Sequence, residues 1–121
     1  LPVFFIDGNH EHHPFLNEKV DEARERSAVG GGAVRLGGNL SFLPRGCRVT
    51  WDGVRVAALG GARSIDRALR TAGYDWFLEE AVTDADLAAL SEGGVADVLL
   101  CHDVPACAPI PLSAKADLPR A

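Results

Sequence analysis

Two short polar clusters hold the residues best suited to chemistry. Asp7-Gly8-Asn9-His10-Glu11 follows the apolar run PVFFI, and Cys101-His102-Asp103 follows the apolar run VLL. Asn offers an amide oxygen and His an imidazole nitrogen, donors that suit divalent ions such as Mn, Fe or Zn. A nearby imidazole can also transfer a proton near neutral pH. Gly8 is expected to let the backbone turn sharply enough to aim both neighbours at one point. Loops that follow buried strands of α/β proteins converge on one sheet edge, where sites are built.

The elements that must position these residues are legible from hydrophobic period. Residues 1–6 form an almost wholly apolar run, which predicts a strand buried on both faces, and residues 95–100 form a second. The two are predicted to be neighbouring strands, which places Asn9 and His102 close enough to share a metal. Over residues 14–26, Phe15, Leu16, Val20 and Ala23 recur at intervals of three and four among charged residues, so an amphipathic helix with Pro14 in its first turn is expected. The glycine-rich residues 27–33 end it. Val34, Leu36, Leu40 and Phe42, then Val49, Trp51, Val54 and Val56, alternate as half-buried strands do. Asp52-Gly53 between two such runs predicts a hairpin over residues 49–59. A short helix is expected at residues 65–70 and another at 83–91, the latter capped by Thr83 with Asp86 at the capping-box position. The tail from residue 105 has no clear period and reads as loop. Alternating strands and helices with a hairpin in the middle define an α/β fold with a mixed sheet.

Composition narrows the function class. At 121 residues, 47% hydrophobic and 24% charged, the chain is at most one folded domain. A net charge of −5 without a clustered basic surface argues against a non-specific nucleic-acid binder. An acidic protein can still hydrolyse phosphates when a metal supplies the positive charge. Cys47, Cys101 and Cys107 are odd in number and lack CxxC spacing, which points to neither a disulfide framework nor a zinc ribbon, and so to a reducing cytoplasm. No apolar run is long enough to span a membrane.

Taken in order, FFIDGNHE resembles the GNH(D/E) motif of the calcineurin-like metallophosphoesterases, VRVAALGGARSID resembles the strand-Gly-Gly segment of that family, and LLCHDVP resembles its later strand-then-His motif. The resemblance covers nearly the whole chain apart from the tail. It implies an α/β fold of mixed β-sheets flanked by helices, part of an αββα sandwich. It also implies hydrolysis of a phosphomonoester or phosphodiester by a centre of two divalent metal ions. On the same footing Asn9 and His102 are ligands of one metal, and His10 contacts the phosphate and protonates the leaving oxygen. Glu11 then holds the His10 tautomer. The family's Asp-x-His and GDxxD-type motifs, which precede GNHE, and its GHxH-type motif, which follows the later histidine, are absent. Residues 1–121 therefore read as a partial metallophosphoesterase domain, with the N-terminus cut, from an active parent. Alone it is expected to be a poor enzyme.

Other residues have plainer readings. His12 and His13 make an HEHH string that is not HExxH, because Pro14 occupies the next position. They read as solvent-facing loop residues, with substrate contact as the alternative. Asp7 is either a support for the metal ligands or a turn-stabilising strand end. Arg63 in the Gly-Gly loop is a candidate bidentate donor to substrate phosphate, the alternative being a solvated arginine, and Ser64 is a weaker candidate. Cys101 reads as a small buried residue, and Trp51, Trp76 and Phe77 as packing. Gly30 to Gly32 lack nucleotide-loop spacing. Two competing functions stay open: a mononuclear zinc hydrolase built on the four histidines, and a non-catalytic α/β binding or interaction module.

Overall fold

The computed structural model describes residues 1–27, 32–105 and 108. The element order is β1 (Val3–Phe5), α1 (His13–Arg26), β2 (Val34–Gly37), β3 (Leu40–Phe42), β4 (Arg48–Trp51), β5 (Val54–Leu59), α2 (Asp84–Glu92) and β6 (Val98–Cys101). The strands form two three-stranded mixed sheets, ordered β1-β3-β2 and β4-β5-β6. Each contains one parallel and one antiparallel pair: β1 runs parallel to β3 and β5 parallel to β6, while β2 and β4 run antiparallel to β3 and β5. The α/β class with mixed sheets and flanking helices follows.

Helix α1 forms where the three-four spacing placed it. His12 caps it by accepting a hydrogen bond from the Phe15 amide, Pro14 sits in its first turn, and Arg24 and Arg26 face its negative C-terminal end. Its Leu16 and Val20 pack with Val34 and Phe42, backed by Phe5, Ala23 and Leu36. Each such buried side chain contributes about 1.5–3 kcal/mol. A second cluster, Leu43, Cys47 and Ala58 with Ile6 and Val49, joins the start of β4 and the end of β5 to the end of β1. The predicted hairpin is β4–β5, turning through Asp52 at φ 50° and Gly53 at φ 81°, the left-handed pair that a tight two-residue turn requires. Helix α2 carries the full capping box of Thr83 and Asp86.

Three expectations need correction. Residues 1–6 and 95–100 are not strands buried on both faces: Val3 and Phe4 are 47% and 37% exposed, and Val98 to Leu100 are similarly open. Each of these strands is an edge that pairs with one neighbour, and an apolar run does not by itself state how many of its faces are covered. Nor do β1 and β6 pair, since they belong to different sheets. Residues of both, Phe4, Phe5, Ile6, Leu99, Leu100 and Cys101, line one shallow, largely apolar depression. The helix expected at residues 65–70 is a single 3-10 turn, Arg67–Leu69. Most of the tail from residue 105, including Cys107, and residues 28–31 of the glycine-rich stretch lie outside the described residues.

Candidate functional site

Three chain segments meet beyond the ends of β1, β5 and β6. Parallel pairing aligns Leu59 with Cys101, so Gly60-Gly61 and His102 leave the second sheet on the same edge. The Gly61 amide donates to the Asp7 carbonyl at 2.8 Å, which stitches this edge to the segment after β1. A side chain at Gly60 would overlap the Asp7 carboxylate, and Gly61 adopts φ +83° against Arg45 and the Glu80 carbonyl. The Gly-Gly pair is thus required by close approach and by backbone conformation together.

The histidine and the asparagine come together here from opposite ends of the chain. His102 Nε2 lies 3.3 Å from Asn9 Oδ1. The imidazole rests on Gly8, where a Cβ would come within 2.8 Å of its Cε1 atom. Gly8 is not among the glycines with positive φ, so its backbone conformation does not by itself demand glycine. Its lack of a side chain makes room for His102.

Asn9 is held from behind. Its Nδ2 donates to Ser64 Oγ at 3.1 Å, and Ser64 Oγ donates to Glu80 Oε2 at 2.6 Å. The Ser64 amide donates to Glu80 Oε1 at 2.7 Å. Arg70 Nη1 donates to Ser64 Oγ at 3.2 Å and, at 3.4 Å, to the Asn9 carbonyl. Glu80 is 1% exposed. Burial alone would raise its pKa, but the hydrogen bonds from Ser64, the adjacent Trp76 indole and the Arg70 charge outweigh burial and hold it below the usual carboxylate range.

His10 points outward, with 61% of its side chain exposed and Nε2 3.9 Å from Asp66 Oδ2. Asp66, rather than Glu11, is the carboxylate facing this ring, and among the described residues Glu11 makes no hydrogen bond or ion pair with it. Beneath the site, Asp7 is 2% exposed and accepts from Arg45 Nη2 at 2.6 Å and Nε at 3.0 Å. His13 is buried, its Nε2 3.0 Å from the Gly8 carbonyl and 3.6 Å from Asp7 Oδ2. Burial acts to raise the Asp7 pKa, but hydrogen bonds from His13 and Arg45, with their charges, bring it below the ordinary value. Arg45 also bonds Asp86 and the carbonyls of Glu79, Glu80 and Ala81, tying the loop before α2 to the strand end.

Of the residues singled out in the sequence, Asn9 and His102 therefore meet, while His10, next to Asn9 in the chain, faces solvent and Asp66. Arg63 is exposed on the loop one residue before Ser64. The solvent-facing reading fits His12, which caps α1 with its ring 4.9 Å from Phe77, and fails for His13, because the buried Asp7 and the Gly8 carbonyl recruit it. Asp7 is more than a turn residue, being the centre of a buried ion-pair network. Cys101 is half-buried, whereas Cys47 is buried and its thiol is pushed up to about 11 by burial, which leaves it unreactive. Asp66, Arg70 and Glu80 escaped notice. A polar Ser-x-Asp after Gly-Gly is a signal for Asp66, but nothing in the local sequence marks the inward-pointing Glu80.

The Asn9–His102 pair fits a shared divalent ion. Two donors each about 2.1 Å from one cation, at tetrahedral to octahedral angles, stand about 3.0–3.4 Å apart. The observed 3.3 Å falls in that range, and an amide oxygen and an imidazole nitrogen are both atom types that can ligate a cation. Among the described residues, no group of three or more His, Cys, Asp or Glu gathers as a metal site. No helix among them is long and apolar enough to cross a membrane. No family model, curated protein or solved structure matches the chain.

Proposed function

We propose that this chain forms part of the active centre of a metal-dependent phosphate-ester hydrolase of the calcineurin-like metallophosphoesterase kind, its two mixed sheets and helices being part of that family's αββα sandwich. The observation that carries this reading is the 3.3 Å approach of Asn9 Oδ1 to His102 Nε2, two residues 93 positions apart brought together where the segments after β1 and β6 meet. Asn9 and His102 would hold one of two divalent ions, Mn, Fe or Zn. A cation bound there would supply Lewis-acid polarisation of the phosphoryl group and activation of the attacking water. Two protein donors are fewer than the three or four of a tight site, so further ligands complete it.

The remaining roles belong to this chain's own side chains. His10, exposed and next to Asn9 in the chain, protonates the leaving oxygen, with Asp66 Oδ2 3.9 Å from its Nε2. Arg63, exposed on the Gly-Gly loop, binds the substrate phosphate as a two-pronged donor. A cytoplasmic setting accompanies this reading, on the strength of cysteines without pair spacing. The test is hydrolysis of p-nitrophenyl phosphate and its bis-ester by the full-length protein with and without Mn²⁺. Asn9→Ala and His102→Ala should each weaken Mn²⁺ binding at least about 10-fold. A full-length protein whose Mn²⁺ affinity ignores both changes would overturn the assignment.

A further inference from the structure

An asparagine can present either its oxygen or its NH₂ group to a neighbour, and the two differ by a half-turn about one bond. Only the oxygen can ligate a cation. The 3.3 Å spacing to His102 does not decide between them, because a neutral imidazole nitrogen accepts a hydrogen bond as readily as it donates one. The decision is made on the other side of Asn9, by a chain of groups whose polarity leaves no choice.

We infer that Glu80, acting through the Ser64 hydroxyl, is the positioning residue that turns the Asn9 amide oxygen toward the metal site. This deepens the metal reading of Asn9 and rests on it. Glu80 is fully buried, and each carboxylate oxygen receives one hydrogen bond from Ser64, the amide at Oε1 and the hydroxyl at Oε2. An ionised carboxylate only accepts, so the single Ser64 hydroxyl proton is committed to Glu80. Both remaining lone pairs of Oγ then face donors. Arg70 takes one, and a guanidinium has no acceptor; the other is met by Asn9, whose facing atom must therefore be Nδ2. With Nδ2 fixed, Oδ1 is left on the His102 side. The hydroxyl makes all three of its possible hydrogen bonds, so no alternative arrangement satisfies the set.

The chain of polarity can be inverted. In Glu80→Gln the Ser64 amide still needs an oxygen opposite it, which puts the new NH₂ group opposite Oγ. Ser64 then accepts from Gln at 80 and from Arg70, its proton turns to position 9, and the Asn9 amide flips to present NH₂ toward the metal. In the full-length protein, titrated with Mn²⁺ alone, Glu80→Gln should lose at least about 10-fold in affinity while melting within a few degrees of wild type. Asn9→Asp provides the rescue. Beside Glu80 it sets a carboxylate oxygen against the lone pairs of Ser64, so the single change should weaken Mn²⁺ binding. Beside Gln at 80 it accepts the redirected proton and still offers an oxygen to the metal, so the double variant should bind Mn²⁺ more tightly than Glu80→Gln alone. A residue that merely stabilised the loop would not give this reversal.

Nuclear Overhauser contacts in the unaltered protein give an independent reading that requires no variant to fold. The Asn9 side-chain NH₂ protons should show contacts to the Ser64 Hβ protons, and contacts to the His102 ring instead would overturn the inference. If Asn9→Ala abolishes Mn²⁺ binding but Glu80→Gln binds as wild type, or the double variant shows no rescue, the relay is wrong and the metal reading stands. If Mn²⁺ binding is indifferent to Asn9→Ala, both fall together.

Discussion

Replacing Gly8 by alanine separates the site from the fold. Gly8 has no positive φ, so alanine can adopt its backbone conformation. The new Cβ would lie 2.8 Å from His102 Cε1, 3.1 Å from Nε2 and 3.2 Å from Nδ1. Carbon contacts relax near 3.5 Å, so the ring must retreat by roughly 0.7 Å. That retreat opens the Asn9–His102 donor spacing from 3.3 Å to about 4 Å, too wide for two ligands of one ion at ordinary angles. His102 is exposed, and its ring can swing outward without disturbing a packed neighbour, so the change in folding stability should stay within about 0.5 kcal/mol. Mn²⁺ affinity, measured by calorimetry on the full-length protein, should fall about 10- to 100-fold, with the thermal midpoint nearly unmoved. Wild-type affinity in Gly8→Ala would refute the geometry. A stability loss of several kcal/mol with unchanged affinity would show that Gly8 serves packing and not the site.

Two further substitutions give testable outcomes. Asp7→Asn removes one charge from a buried pair and should destabilise by about 3 kcal/mol, read by chemical denaturation; the bonds from Arg45 to Asp86 and three carbonyls keep the loss at the low end for such pairs. Because the folded Asp7 pKa lies below its unfolded value of 3.8, its contribution is present above about pH 4 and is lost as pH falls through the folded value. Melting temperature should therefore drop less steeply below pH 4 in Asp7→Asn than in wild type; equal acid slopes would show that Asp7 is not the group responsible. If the proposed hydrolysis holds, His10→Ala in the full-length protein should lower kcat by roughly 10² to 10⁴ with metal content nearly unchanged, and the defect should shrink for nitrophenol leaving groups, which need little protonation. Loss of metal, or an equal defect with every leaving group, would remove His10 as the general acid.

Much of the local structure was legible because it depends on near neighbours. The three-four spacing of Phe15, Leu16, Val20 and Ala23 gave α1, Asp52-Gly53 gave the β4–β5 turn, and Thr83 with Asp86 gave the α2 cap. These signals work because a helix face, a left-handed turn and a cap are each decided within a few residues. Apolar composition also located β1 and β6, but it could not state that each is an edge strand in a separate sheet. Pairing is a choice among distant partners, and an apolar run is compatible with several of them.

The same division runs through the site. Asn9, His10 and His102 stand out in the sequence as candidates, since few side chains offer an oxygen or nitrogen donor at the end of an apolar strand. Their meeting was not, and neither was the support behind them. Glu80 lies 16 positions from Ser64, Ser64 lies 55 from Asn9, and Arg45 lies 38 from Asp7. In the sequence Glu80 and Arg45 read as ordinary polar residues, and nothing there links them to Ser64 or Asp7. Only the folded chain buries Glu80 and Asp7, and burial is what forces them to find partners, because an unpaired charge in the interior costs far more than it does in water. Sequence alone thus named the side chains whose chemistry makes them candidates for a metal or a proton, and the tertiary structure decided which of them face one another.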